Sequence, residues 1–190
     1  MKTRIAILLA LAAAGCKIKG NPSLLITKVI SGTPTAATTP GAPVLCTFDP
    51  GSTEIDFLPY NPVENTGNVG AVVSNTILPT TAVNPTLRTD AATFLPHQAV
   101  VDYEVIGGGA SIGEKIVPAA GAEVPSGTSA PVLMHLLPAG TLPAGLAAGT
   151  IIRTTFHVEG KLVDGSTVHT SEREFLFEIC TSTGCGSPCL

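Results

Sequence analysis

The chain has 190 residues, 44% hydrophobic, 4% aromatic and 13% charged, with 20 glycines, 16 prolines, no tryptophan and a formal net charge of −4. This length and apolar content suit one domain with its own core and argue against a disordered chain. Gly and Pro at this density argue against a helical bundle or coiled coil, and the acidic balance gives nucleic acid nothing to hold.

The N-terminus reads as an export signal. Residues 1–4 carry two positive charges, residues 5–14 are an uncharged apolar run, and Gly15-Cys16 follows. Such a run is too short to span a bilayer, which takes about 20 residues. A basic start, a short apolar core and small residues before a break are the pattern of a secretory signal. Ala13-Ala14-Gly15-Cys16 resembles the lipobox of bacterial lipoproteins, with Ala13 where Leu is commonest. The resemblance implies that residues 1–15 are a signal peptide and that Cys16 is acylated and becomes the mature N-terminus. Residues 16–22 would then be a lipidated tether and residues 23–190 the folded domain. Each buried acyl methylene contributes about 0.8 kcal/mol, so two or more chains anchor stably in a lipid bilayer. Lys17, rather than Asp, follows the Cys, which in that class implies the outer membrane. Without Lys2 and Arg4 the balance is 8 basic to 14 acidic residues, which favours solubility of the domain.

The rest reads as strands and loops. SLLITKVI (residues 23–30) is a first strand, and GTPTAATTPGAP (32–43) a low-complexity loop. Further strands are expected at 44–49, 53–58, 69–78, 99–106, 130–137, 150–163 and 166–180, separated by turn-rich stretches such as IGGGASIG and PAGTLPAGLAAG. About seven to eight strands with irregular connections predict an all-β, immunoglobulin-like β-sandwich. The best-defined element is the C-terminal hairpin. Ile152, Thr154, Phe156, Val158 and Leu162 alternate with Arg153, Thr155, His157, Glu159 and Lys161. Asp164-Gly165 suits a two- or four-residue turn. The return strand puts Phe175, Phe177 and Ile179 on the apolar face.

Four cysteines follow Cys16: Cys46, Cys180, Cys185 and Cys189. An even number in an exported chain predicts two disulfides, with three connectivities open. Three of the four lie in CTSTGCGSPCL, so one of them must reach Cys46 if all pair, leaving the other two to pair with each other. A metal site is the rival, but none of His97, His135, His157 and His169 is near this cluster in sequence.

The pieces CTFDP, SNTIL, LRTDAATF, VEGKLVDGSTVHTSEREFLFEIC and the closing cysteines resemble a group of exported lipoproteins from myxobacteria and relatives. That resemblance implies an exported β-domain and carries no activity and no binding residues.

Candidate chemistry is thin. Gly109-Ala110-Ser111-Ile112-Gly113 matches G-x-S-x-G, in which a hydrolase holds its Ser on a strand-to-helix turn. Pro118, Gly121 and Pro125 leave no easy place for that helix, and the acid and His that could be proposed, Asp164 and His169, also flank the hairpin turn. Asp102 and Glu104 share a strand face but would have similar surroundings, whereas acid/base pairs need different ones. His157 is expected as a cross-strand surface partner of Glu172. The reading is a non-enzymatic structural or binding module of the cell envelope, without metal or cofactor. Its partners would be the lipid bilayer and an unidentified envelope protein or surface ligand. The alternative is a small serine hydrolase using Ser111.

Overall fold

A computed structural model describes residues 23–35, 45–63, 67–78, 92–108, 111–138, 140–143, 145–182 and 185. Every regular element among them is a strand. Alternation explains most of them: in β6 (Phe94–Val105), β9 (Ile151–Leu162) and β11 (Arg173–Ile179), alternate residues are buried. β5 (Asn68–Asn75) is buried on both faces and reads accordingly as a near-continuous apolar run, VGAVV.

The main sheet has nine strands. Its order is β1 (Leu24–Ile30), β5, β8 (Thr128–His135), β7 (Ser111–Gly121), β6, β9, β11, β4 (Phe57–Tyr60), with β10 (Thr167–His169) also on β9. The strand β7 joins the two halves. Its residues up to Pro118 pair with β6, and Ala119, Ala120 and Gly121 pair with β8. The sheet curls there into a sandwich-like shape and buries one face of each half in a common core. Val69, Ala71, Val73, Val132 and Met134 come from one half, and Val101, Tyr103, Phe156, Phe175 and Phe177 from the other. Burying a Phe or Val side chain contributes about 1.5–3 kcal/mol. A small hairpin of β2 (Thr33–Thr35) and β3 (Leu45–Thr47) leads to Phe48, which lies over Gly70 beside Ile30. This second contact explains the burial of β5 on its outer side.

The all-β sandwich is as expected, and so are the faces of the C-terminal strands. Several boundaries differ. β6 starts at Phe94, ahead of the expected residue 99, and β4 runs to Tyr60, beyond residue 58. The expected loop at 32–43 contains β2, and its residues 36–43 lie outside the described set. β7 is a strand that Gly and Pro had concealed. Pro118 has no amide hydrogen to donate, and it lies where β7 is paired on one side only.

The turn after β9 is neither of the expected lengths. The Leu162 amide donates to the Ser166 carbonyl, so the loop has three residues, with Gly165 at φ 90°. That turn sets β10 one residue out of register relative to β11: Thr167 faces Lys161, whereas Phe175 faces Thr154. The interruption at residues 170–172 restores the parity, so Phe175, Phe177 and Ile179 still point inward. The interrupting segment is used. The Ser171 amide donates to the Leu24 carbonyl at 2.8 Å, and its hydroxyl accepts from the Ile26 amide, clipping this half of the sheet onto β1.

Candidate functional site

One end of the sandwich, where the domain begins, centres on Asn75, which is fully buried. Its Nδ2 donates to the Ala92 and Val124 carbonyls at 2.7 and 2.8 Å, and its Oδ1 accepts from the Ile77 amide at 3.0 Å. One amide thereby joins the end of β5 to the chain entering β6 and to the segment after β7. Thr76 donates its amide to the Ser23 carbonyl, and Ser126 its hydroxyl to the Ile77 carbonyl. Leu78 and Val163 are exposed here, at 84% and 51%.

The opposite end gathers the Tyr60 end of β4, residues 106–108 after β6, residues 136–149 and the end of β11. Tyr103 donates its hydroxyl to the Leu136 carbonyl at 2.7 Å, and Tyr60 to that of Leu137 at 3.4 Å. Burial pushes both hydroxyls above their ordinary pKa, and Tyr103 is raised further by a charge on Tyr60. An apolar cleft of about 310 Å³ opens beside them, lined by Tyr60, Pro62, Val63, Leu142, Pro143 and Leu146. The Cys180 amide donates to the Tyr60 carbonyl, and Cys180 is bonded to Cys185 with Cα atoms 6.3 Å apart. Cys46 is disulfide-bonded as well. Its partner lies outside the described residues, because Cys180 and Cys185 are joined to each other. Cys16 and Cys189 both lie outside them.

A cleft of about 330 Å³ on the outer face of β6, β9 and β10 was not foreseen. It forms where the β6 register shifts between Pro96 and Gln98. Gly160 makes it possible: a Cβ there would lie 2.1 Å from the Leu95 carbonyl oxygen. Gln98 donates to Glu159 at 2.8 Å, and Glu159 is 3.6 Å from Nε2 of His157. The His157 and His169 rings lie 5.1 Å apart, so His157 faces both Glu159 and His169. Gly160 inside an alternating strand was the cue to this cleft in the sequence, since such a glycine marks a bulge or a close backbone approach. Among the described residues, no group of three or more His, Cys, Asp or Glu could hold a metal ion.

Ser111 begins β7, while Gly109, Ala110 and the Ser111 side chain lie outside the described set. The chain passes there from strand to strand, whereas a hydrolase elbow passes from strand to helix. Ser111 is in register with Glu104, and Glu104 with Arg153. His169 is in register with Glu159. Six residues along β9 separate the two positions by about 20 Å, well beyond hydrogen-bond reach. Asp164, the third candidate, accepts from the amide and hydroxyl of Ser166 in the turn. Glu104 pairs with Arg153 at 3.1 Å, and Arg153 also approaches Glu174, so Glu104 and Asp102 do not form an acid/base pair with each other.

Compared with known proteins, the chain matches no family model, no curated sequence and no solved structure.

Proposed function

We propose that this is an exported, lipid-anchored module of the bacterial cell envelope that acts by binding or by structure, held to the outer membrane through acylated Cys16. The observation that carries this reading is the N-terminal pattern: Lys2 and Arg4, ten apolar residues, then Ala13-Ala14-Gly15-Cys16. Two further features support it. The Cys180–Cys185 bond and the bonded state of Cys46 suit an oxidising compartment outside the cytosol. The sequence pieces quoted above also resemble exported lipoproteins of myxobacteria and relatives. With Cys180 and Cys185 joined, Cys189 is the tail cysteine left for Cys46, and the pair would clasp the C-terminus to the β2–β3 hairpin.

Intact-mass measurement of protein extracted from membranes tests the anchor. The expected species starts at Cys16 and carries acyl chains. A mature N-terminus elsewhere, or an unmodified Cys16, overturns the reading. Cys16→Ser moves the protein to the soluble fraction.

A further inference from the structure

Resting on that anchor, the fold decides which part of the domain meets the membrane. We propose that the end carrying Ser23, Leu78 and Val163 stands against the phospholipid bilayer, and that the end with the apolar Tyr60–Leu146 cleft points away from it.

The argument is one of reach. Residues 16–22 link the acylated Cys to Ser23, and a chain of seven residues spans at most about 25 Å. Ser23 belongs to the first end by direct bonds: its carbonyl accepts from both the Thr76 amide and the Thr76 hydroxyl. Val163 belongs there too, because its amide donates to the Thr93 carbonyl, next to the Ala92 carbonyl that Asn75 holds. The strands β6 and β9 have 12 residues each, so the sandwich is about 40 Å long. The tether is therefore shorter than the body, and it cannot turn the far end to the bilayer while the near end faces outward.

A domain lying on the outer face of β6, β9 and β11 is another geometry, and charge opposes it. That face exposes Asp102, Glu104 and Glu174 in a group around Arg153 and Thr155, with Arg153 already engaged by the two glutamates. Laying that face on a bilayer would bring carboxylates against lipid phosphates, a like-charge contact. At the near end, Leu78 and Val163 present apolar side chains, with Glu123 and Asp164 also exposed there. By contrast, the described residues in the far-end stretches 61–63, 106–108 and 136–149 carry no charged side chain. That uncharged surface is thus left facing outward.

The chain has no tryptophan, so one introduced Trp is a unique energy donor. Leu78→Trp and Val63→Trp place it at the two ends, both at highly exposed positions. Each lipidated full-length variant is reconstituted into phosphatidylethanolamine/phosphatidylglycerol vesicles containing a dansyl-headgroup lipid, and Trp-to-dansyl transfer is read. Transfer several-fold stronger from residue 78 than from residue 63 supports the orientation. Equal transfer, or stronger transfer from residue 63, in protein that stays with the vesicles overturns the orientation and leaves the anchor standing. Protein that does not stay with the vesicles, behaving as Cys16→Ser does, overturns the anchor and the orientation with it.

Discussion

At the end where the domain begins, a single buried side chain bridges three separate backbone segments. At the opposite end, two tyrosine hydroxyls, a disulfide and the partly buried Leu142 and Leu146 share the task. The difference follows from the connections. The near end gathers the chain leaving β5, the chain entering β6 and the segment after β7, and Asn75 reaches two carbonyls and an amide there at once. The far end must hold the Gly- and Pro-rich segment 138–149, which offers few apolar side chains, so it relies on several independent ties. One end is brittle, and the other is redundant.

The largest expected effect is therefore at Asn75. Asn75→Ala leaves the Ala92 carbonyl and the Ile77 amide without the partner Asn75 gave them, at about 1–3 kcal/mol for each buried group, while the Val124 carbonyl keeps the Phe94 amide. A loss of about 4 kcal/mol in urea unfolding is expected, enough to unfold a marginal domain. A loss below about 1 kcal/mol would mean the near end has other support.

The far end should give way in smaller steps. Replacing Cys180 and Cys185 together by Ser opens a short loop, worth about 2 kcal/mol in the chain-entropy model. Hydrogen exchange should then rise at Gly149 and Ile179, whose backbone groups are bonded beside it, and not at Thr76. Non-reducing peptide mapping of the unaltered protein should recover a cross-linked peptide containing Cys46 and Cys189. A peptide joining Cys46 to Cys180 or Cys185 would contradict the clasp.

Tyr103→Phe removes one hydrogen bond and leaves the Leu136 carbonyl short, for about 1 kcal/mol. Its pH signature is more specific. The folded state holds the Tyr60 and Tyr103 protons above the ordinary value of 10.0, while the unfolded chain releases them there. Stability is thus complete below about pH 10 and falls as pH rises beyond it, and the fall is shallower in Tyr103→Phe. Urea midpoints taken between about pH 9 and 11 measure this slope, and a slope unchanged by the substitution would remove the tyrosines from the account.

The smallest effect is expected on the outer face of the sheet. Arg153→Ala breaks the ion pairs with Glu104 and Glu174, whose side chains are about half exposed. Less than about 1 kcal/mol should be lost, and raising the salt concentration should reduce even that.

The C-terminal hairpin was the most legible part of this chain because its signal is local. Every second residue from Ile152 to Leu162 meets the core, and the Phe175-Leu176-Phe177 run continues the pattern. Even the unforeseen three-residue turn did not alter the faces, since the break at Thr170 and Ser171 cancelled its shift. The strand β7 was illegible for the opposite reason. Gly113, Pro118 and Gly121 are local breakers, and only the pairing of β7 with β6 and then β8 makes the segment a strand.

The candidate sites divide in the same way. Composition, alternation and the count of cysteines by themselves determined the all-β class, the inward residues of the hairpin and the expectation of disulfides, because each rests on neighbours in sequence. The tertiary structure alone decided that Cys180 bonds Cys185, that Asn75 serves Ala92 and Val124, and that Ser111 and His169 stand far apart. Those facts depend on which strands lie side by side and in what register, and for segments far apart in sequence no tight turn fixes either one.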